Sequence, residues 1–181
     1  VETLVGISLS HARAGTDYVC LSDMMDGRVL SVRRALEKEG FNSTGIMSYS
    51  VKYASSFYGP FRDAASSAPS FGDRSSHQMD VRSDYREAIL EAKTDVEEGC
   101  DIAMVKPGLP YLDVLKEVSS SIERPVAVYN VSGEYSMVMG YANDSTQRKR
   151  VVLEILGSFI RAGADIIVSY HSREAIREGW I

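Results

Sequence analysis

Residues 101–108 read DIAMVKPG, and this stretch decides the fold. The run from 102 to 105 is apolar throughout, which predicts a strand buried on both faces. Lys106 interrupts that pattern at the point where the strand ends. Pro107 keeps Lys106 out of the helical region, and Gly108 permits a sharp turn into the next segment. The stretch therefore predicts a buried strand that carries one lysine at its carboxyl end.

A lysine in this position has two interpretations. At the mouth of an apolar strand the amine loses contact with solvent, its pKa falls, and the free amine can attack a carbonyl group. Alternatively, Lys106 extends from the strand end into water and has no chemical role. This stretch alone supports both interpretations equally.

A weak internal repeat extends the pattern along the chain. AGTDYV at residues 14–19, EGCDIA at 98–103 and AGADII at 162–167 share one order of features. A helical segment comes first, followed by a glycine suited to a helix C-cap, an aspartate and a short apolar strand. Two further strands are predicted at 45–49 and 125–131, and helices at Arg28–Glu39, Ser83–Glu97, Tyr111–Ser121 and Gln147–Ala162.

Apolar strands that alternate with amphipathic helices predict an α/β fold with a parallel sheet covered by helices. No Gly-x-Gly-x-x-Gly pattern follows the first strand, so a (β/α) barrel is favoured over a doubly wound sheet. We expect a single domain over residues 1–181 that forms part of a barrel. Such a partial barrel has two open edges, and the chain begins at Val1 within a helical pattern, so we expect a fragment of a longer protein.

The composition argues against several classes of protein. The 181 residues are 44% hydrophobic, which is enough for a packed domain. With a net charge of −5 and scattered basic residues, no nucleic-acid partner is indicated. No apolar run approaches the ~20 residues that span a membrane. We expect Cys20 and Cys100 to be buried free thiols in a reducing, cytosol-like compartment, and not a disulfide or a metal pair.

Polar side chains mark the predicted carboxyl ends of the strands, where barrels of this type carry out chemistry. These ends are residues 22–23, 48–52, 106, 129–133 and 169–171. Successive strand ends carry Lys52 and Lys106. Each lysine raises the cost of charging the other, so the pKa of at least one should fall. The pair therefore favours a chemical role.

A long segment with little periodicity, residues 53–79, follows the second strand. Loops of this length are usually functional lids or disordered, and its aromatic residues favour a lid because they need a surface to pack on. Arg62 and Arg74 could reach over the strand ends and hold a carboxylate through paired hydrogen bonds. The alternative for each is a surface ion pair, with Asp63 or Asp73.

Five motifs in order carry a family resemblance. They are SDMMDGR (22–28), MSYSVK (47–52), FYGPFRDAA (57–65), MVKPG (104–108) and VSGEY (131–135). Together they resemble the porphobilinogen synthase (5-aminolevulinate dehydratase) family across essentially the whole chain. The resemblance implies the carboxyl-terminal part of a (β/α)8 TIM barrel, with about the fourth to eighth strands present.

The resemblance also implies an activity, the condensation of two 5-aminolevulinate molecules to porphobilinogen with loss of two waters, in tetrapyrrole biosynthesis. Lys106 matches the lysine that forms a Schiff base with the substrate giving the propionate side. Lys52 matches the second lysine, on the acetate side. Asp23, with Ser22, matches the position beside the reacting amines and would assist proton transfer.

Further matched positions would bind the substrate carboxylates. One carboxylate is assigned to Arg62, Arg74 and Gln78, with Tyr58 closing over it from the lid. The other is assigned to Ser132 and Tyr170, with Tyr129 packing near Lys106.

Metals and assembly are implied in the same way. Glu91 matches a position that binds an allosteric magnesium through waters, although an exposed helix carboxylate is an equal alternative. Where family members have a catalytic zinc, its cysteine-rich loop lies on an earlier strand that this chain lacks, and other members carry aspartate there. Cys20 and Cys100 do not replace that loop, so the resemblance allows a zinc only upstream of this chain. No organic cofactor is implied. The resemblance implies a homo-oligomer, commonly an octamer, in the cytoplasm or a plastid.

Two other functions remain open at this point. A class I aldolase-like enzyme would need only one imine-forming lysine and leaves the two-arginine lid unexplained. A catalytically silent chain, kept as a scaffold or subunit, would need none of the reactive positions that are occupied here.

Overall fold

Five parallel strands form one sheet in the computed structural model, which describes residues 1–64 and 76–181 and, for residues 62–64, the backbone alone. The strands are β1 (Tyr18–Leu21), β2 (Gly45–Lys52), β3 (Ile102–Lys106), β4 (Val126–Asn130) and β5 (Ile166–Ser169). Their spatial order is β1-β2-β3-β4-β5, and every pair is parallel. A sheet that follows chain order, with helices in its connections, belongs to a (β/α) barrel. The predicted partial barrel is confirmed.

Helices connect the strands and cover one face of the sheet. In the described ranges they are α1 (Glu2–Arg13), α2 (Arg28–Lys38), α3 (Gly59–Ala64), α4 (Tyr85–Glu97), α5 (Leu112–Ser121), α6 (Ser132–Tyr141), α7 (Ser145–Arg161) and α8 (Ser172–Arg177). The four helices predicted with bounds are present with small shifts at their ends. Asp84 and Asp144 fix two of the starts, because their side chains accept backbone N–H groups of the first turns of α4 and α7. The sequence analysis gave no bounds for the shorter helices α3, α6 and α8, which the structure adds.

The internal repeat has a structural cause. Its glycines, Gly15, Gly99 and Gly163, each follow a helix. Their own φ angles are 89°, 103° and 102°, a conformation that strains other residues. In two repeats the aspartate that follows caps a strand start. Asp101 accepts the N–H of Ile46 at 2.8 Å, and Asp165 accepts that of Val126 at 2.9 Å. The repeat thus encodes a helix end followed by a strand tied to its neighbour.

The two faces of the sheet differ in how they are covered. One face packs against helices and is fully buried, as at Val105 and Val128. The opposite, inner face carries Met47 and Tyr129, which are only partly buried. Cys20 alternates with residues packed on α1 and α2 and is in register with Met47, so it lies on the inner face.

The prediction that Cys20 is buried is wrong. Cys20 is a free thiol as predicted, but it is exposed, because β1 lies at an edge of the described sheet. Cys100 is buried and free, as predicted. Among the described residues no helix is both long enough and apolar enough to cross a membrane.

Candidate active site

The two lysines predicted at strand ends lie side by side. A register shift between Ser48 and Val51 brings Lys52 into register with Lys106 on the neighbouring strand. Strand β2 therefore continues to Lys52, beyond its predicted end at Tyr49. Adjacent strands are ~4.8 Å apart, so both side chains leave the same edge of the sheet as neighbours. Lys52 is only 8% exposed and Lys106 is half-buried, while the lowered pKa expected for one of them stays a prediction.

Tyrosine rings surround the Lys106 amine. Its Nζ lies 4.3 Å from the ring centroid of Tyr129, 5.0 Å from that of Tyr49 and 5.3 Å from that of Tyr58. The ring of Tyr49 also faces Lys52, whose Nζ is 5.8 Å from the centroid. Because ring faces attract cations, this arrangement stabilises positive charge at both amines. Sequence reasoning missed Tyr49, although alternation along β2 was a signal that could have placed it on the inner face.

A pocket opens beside Lys106. Its walls carry the side chains of Tyr58, Phe61, Lys106, Tyr129, Val131, Ser132 and Tyr170. The structure thus brings together Ser132, Tyr129 and Tyr170, the residues that sequence reasoning placed around one substrate. Burial raises the pKa of Tyr129, so its phenol stays neutral and can donate a hydrogen bond.

Ser132 opens helix α6, which begins directly after β4. Its hydroxyl accepts the backbone N–H of Phe61 at 3.1 Å, which leaves the hydroxyl hydrogen available to a ligand. The amino terminus of a helix favours anions, and α6 directs this end at the pocket wall that contains Ser132. The location suits a carboxylate.

Tyr58 occupies a different place from the one predicted. Sequence reasoning grouped it with Gln78, whereas the structure places it in the Lys106 pocket. The reason is local. Ser55 caps a short 3-10 turn (Ser56–Tyr58) by accepting the N–H of Phe57 at 3.1 Å, and the Tyr58 hydroxyl donates to the Lys106 carbonyl at 3.2 Å. The turn therefore folds back over the end of β3.

A second cavity, of about 500 Å³, lies beside Lys52. It is lined by Ser22, Asp23, Met24, Met25, Lys52, His77 and Gln78. The Lys52 ammonium donates to the carbonyl oxygen of Ser22. Gln78 is buried, and its Oε1 has no hydrogen-bond partner among the described residues. Buried amide groups are normally paired, so this oxygen, which is an acceptor, suits a hydrogen-bond donor of a ligand in the cavity.

A buried arginine fixes the carboxylate of Asp23 in this cavity. Arg28 Nε lies 3.4 Å from Asp23 Oδ1, which also accepts the N–H of Met25 at 3.0 Å. Arg28 is 3% exposed and is itself held by Asp95 at 3.2 Å and by the Ser48 hydroxyl at 2.8 Å. Sequence reasoning did not identify Arg28 as a site residue, because its partners lie on β2 and α4 and meet only in the fold.

Carboxylates gather near Glu91, the predicted magnesium position. Glu91 lines a cavity of about 260 Å³ together with Asp26 and Glu87. Glu91 is half-buried, and burial followed by the charges of Asp95 and Asp26 raises its pKa. Within residues 1–64 and 76–181 no three Asp, Glu, His or Cys side chains converge tightly enough to hold a metal ion directly.

Two predicted carboxylate-binding side chains are not among those that the structure describes. Arg74 and the side chain of Arg62 lie outside the described residues, so their contacts stay predictions. The ends of the predicted lid are described and are tied together. Tyr53 and Met79 form a parallel bridge, and Ala54 donates to the Met79 carbonyl at 2.9 Å.

The sequence of this chain is similar to that of one known protein family. The family profile described as delta-aminolevulinic acid dehydratase matches residues 1–178. Over 178 residues the chain is 52% identical to the delta-aminolevulinic acid dehydratase of Bacillus subtilis (strain 168), covering 98% of this chain and 55% of that protein. Against the Synechococcus elongatus enzyme of the same name the identity is 53%, over 98% of this chain and 54% of that one.

A solved structure gives the same result. The delta-aminolevulinic acid dehydratase (porphobilinogen synthase) of Toxoplasma gondii ME49, in complex with the reaction product porphobilinogen, superposes with a TM-score of 0.89 at 49% identity. The match covers 96% of this chain and 50% of that one, so the chain spans about half the length of its relatives. The chain belongs to the delta-aminolevulinic acid dehydratase family.

Proposed function

We propose that the protein carrying this chain is a hydro-lyase that condenses two 5-aminolevulinate molecules to porphobilinogen with loss of two waters. The observation that carries the proposal is the register pairing of Lys52 with Lys106, each beside its own cavity. Two amines with separate cavities suit two substrate molecules that must meet. The T. gondii relative, which holds porphobilinogen, supports the same reaction.

Lys106 would form the first imine. Its unprotonated Nζ attacks the ketone of one substrate, the adduct takes up one proton from solvent and loses water, and a protonated imine results. The rings of Tyr49, Tyr58 and Tyr129 would stabilise that positive charge. The imine withdraws electrons and makes the neighbouring carbon acidic, so that this carbon can attack the second substrate. Ser132 and Tyr170 would hold the first carboxylate through their hydroxyl groups.

Lys52 would hold the second substrate in the larger cavity. Asp23 and Ser22 lie in the wall of that cavity, where a carboxylate can carry protons between the reacting amines. Gln78 lines the same cavity and would bind the second carboxylate. We assign Arg62 and Arg74 to that carboxylate as well. Residues 53–79 would act as the lid, anchored at its ends by the bridge between Tyr53 and Met79.

We also propose an allosteric magnesium beside Glu91. Asp26, Glu87 and Glu91 present carboxylates to one cavity, and Mg²⁺ prefers such oxygens while keeping several waters. The ion would supply positive charge that relieves the repulsion among them. Calorimetric titration with Mg²⁺ tests this, since Glu91→Gln should weaken binding at least about tenfold. Unchanged binding would exclude the site.

The two cysteines do not form a zinc-binding pair in the described part of the chain. Cys20 lies on the inner face of the sheet, whereas Cys100 is buried on the other side, among residues that pack on α1 and α2. The two thiols therefore do not face a common point, and no step is assigned to zinc here.

We propose a homo-octamer located in the cytoplasm or a plastid. Helices expose large apolar side chains, including Leu90 and Ile160 at 63% each and Ile176 at 69%, which suits coverage by further protein. A rice relative is named as chloroplastic. Light scattering of the protein that carries this chain tests the assembly, and a monomer would contradict it.

Porphobilinogen formation tests the activity. Lys106→Met and Lys52→Met should each abolish product formation, because methionine fills similar space without an amine. Lys38→Met, at an exposed position on α2, is the matched control and should retain activity. If product is lost with only one of the two site lysines, a one-lysine, aldolase-like mechanism is correct. If the parent protein forms no product, the chain is a silent scaffold.

A further inference from the structure

The carboxylate of Glu134 ties together two loops of the Lys106 pocket. Glu134 lies in the first turn of α6 and is fully buried, with 0% exposure. One carboxylate oxygen, Oε1, accepts the N–H of Leu109. The other, Oε2, accepts the N–H of Val131 at 2.5 Å and that of Gly108 at 3.4 Å. The acceptors of one side chain are thus shared between the loop after β3 and the loop after β4.

These loops flank the residues that would hold one substrate. Gly108 and Leu109 follow Lys106 with one proline between, and Val131 immediately precedes Ser132. A change in the spacing of the two loops would alter the distance between the Lys106 amine and the Ser132 hydroxyl. That distance must match a single substrate, because the amine reacts with its ketone while the hydroxyl binds its carboxylate.

The chemistry of Glu134 argues for a specific use. Taking a carboxylate out of water is costly unless hydrogen bonds compensate, and here the donors are backbone N–H groups on both loops. Burial still raises the pKa of Glu134, so these hydrogen bonds do not fully offset the cost. A helix start alone needs only the bond to Val131, as in a capping box. The bonds to Gly108 and Leu109 go beyond that need.

Packing restrains the first of these loops from the other side. A Cβ added at Gly108 would lie 2.6 Å from the ring of Phe159 on α7. The loop backbone is therefore pressed against α7 on one side and bonded to Glu134 on the other. Lys106, at the end of β3, is the residue whose position this arrangement determines.

We propose that Glu134 is a positioning residue, which sets the distance between Lys106 and Ser132 and so adapts this pocket to one molecule of substrate. This inference rests on the proposed function, in which Lys106 forms an imine and Ser132 binds a carboxylate.

Selective trapping of the imines tests the role. Glu134→Gln replaces one carboxylate oxygen with an NH₂ group, which must face either Leu109 N–H or the N–H groups of Gly108 and Val131. At subsaturating 5-aminolevulinate, borohydride reduction should label Lys106 roughly 10- to 100-fold less than in the parent protein. Labelling of Lys52 should stay within about twofold, because its cavity shares no wall with Glu134.

Two further variants keep the test decisive. Glu134→Asp retains a carboxylate near Val131 but is one methylene too short to reach Gly108 and Leu109, so it should show the same selective loss even if Glu134→Gln does not fold. Asp165→Asn is the matched control, since Asp165 also accepts a backbone N–H, at the opposite end of β4. It should leave the labelling ratio of the two lysines unchanged.

The outcomes separate the two proposals. If the parent protein is labelled at both lysines and both Glu134 variants keep the parent ratio, the positioning role is wrong and the proposed function stands. An equal loss at both lysines also overturns the positioning role, because it indicates general destabilisation. If the parent protein itself is labelled at neither lysine, the proposed function fails and the inference fails with it.

Discussion

Replacing Arg28 by methionine should destabilise the protein far more than any exposed ion pair could. The guanidinium is 3% exposed, and its partner Asp95 has a side chain that is 4% exposed. Among the described residues, Arg28→Met leaves buried Asp95 with the Ser48 hydroxyl, at 2.7 Å, as the one side-chain partner that can compensate its charge. It also removes the cation beside Asp23. Breaking a buried pair by removing one partner costs about 3–5 kcal/mol, and we expect a loss of this size.

A control pair is present in the same chain. Arg13 and Glu39 form an ion pair at 3.0 Å, with side chains 57% and 43% exposed, and Arg13→Met should cost only about 0–1 kcal/mol. Urea denaturation at constant m-value measures both changes in the free energy of unfolding. Arg28→Met combined with Asp95→Leu should recover part of the loss, since the buried charge of Asp95 is then no longer left without its arginine. If Arg28→Met costs no more than Arg13→Met, the argument from burial is refuted.

Two further predictions concern packing and ionisation. A Cβ at Gly133 would lie 2.5 Å from the carbonyl oxygen of Phe57, so Gly133→Ala should displace the turn that carries Tyr58 and cost ~1–3 kcal/mol. Gly140→Ala, in the same helix, is the control, because a Cβ added at Gly140 would meet no described atom within 4 Å. In thermal denaturation this variant should be as stable as the parent protein or more stable. Equal losses of stability in the two variants would contradict the packing argument. Burial raises the pKa of Cys100 from 9.0 to about 12, so the folded state holds a proton there that the unfolded state releases. The free energy of unfolding should therefore fall as the pH rises from 9.0 towards 12. Denaturation curves measured across this range should show a weaker pH dependence for Cys100→Ala. If the free energy of unfolding of Cys100→Ala falls with pH as steeply as that of the parent protein, the raised pKa of Cys100 is refuted.

The strand framework was predictable because its signals are local. The repeat of glycine, aspartate and an apolar run marks three strand starts, and the structure shows why. The glycines adopt positive φ at helix ends, and Asp101 and Asp165 bond to the neighbouring strands. Helix α6 was not among the predicted helices because apolar residues lie all round it and give no period, so only its first residues attracted attention.

The site was only partly predictable, because its geometry depends on contacts between distant segments. The two lysines were visible as charges at strand ends, but their side-by-side placement depends on the register shift between Ser48 and Val51. The role of Arg28 depends on its hydrogen bond to Asp95, which lies 67 residues later in the chain. Glu134 belongs to a motif that sequence reasoning quoted without assigning the residue a role, since its bonds to Gly108 and Leu109 appear only in the fold.

The most direct test of the central claim is the location of the imines. The protein that carries this chain would be reduced with borohydride in the presence of 5-aminolevulinate, digested, and mapped by mass spectrometry. We expect a reduced adduct on Lys106 and a second on Lys52, with none on the exposed Lys38. An adduct confined to lysines outside the two cavities, or no adduct at all, would contradict the assignment of this site.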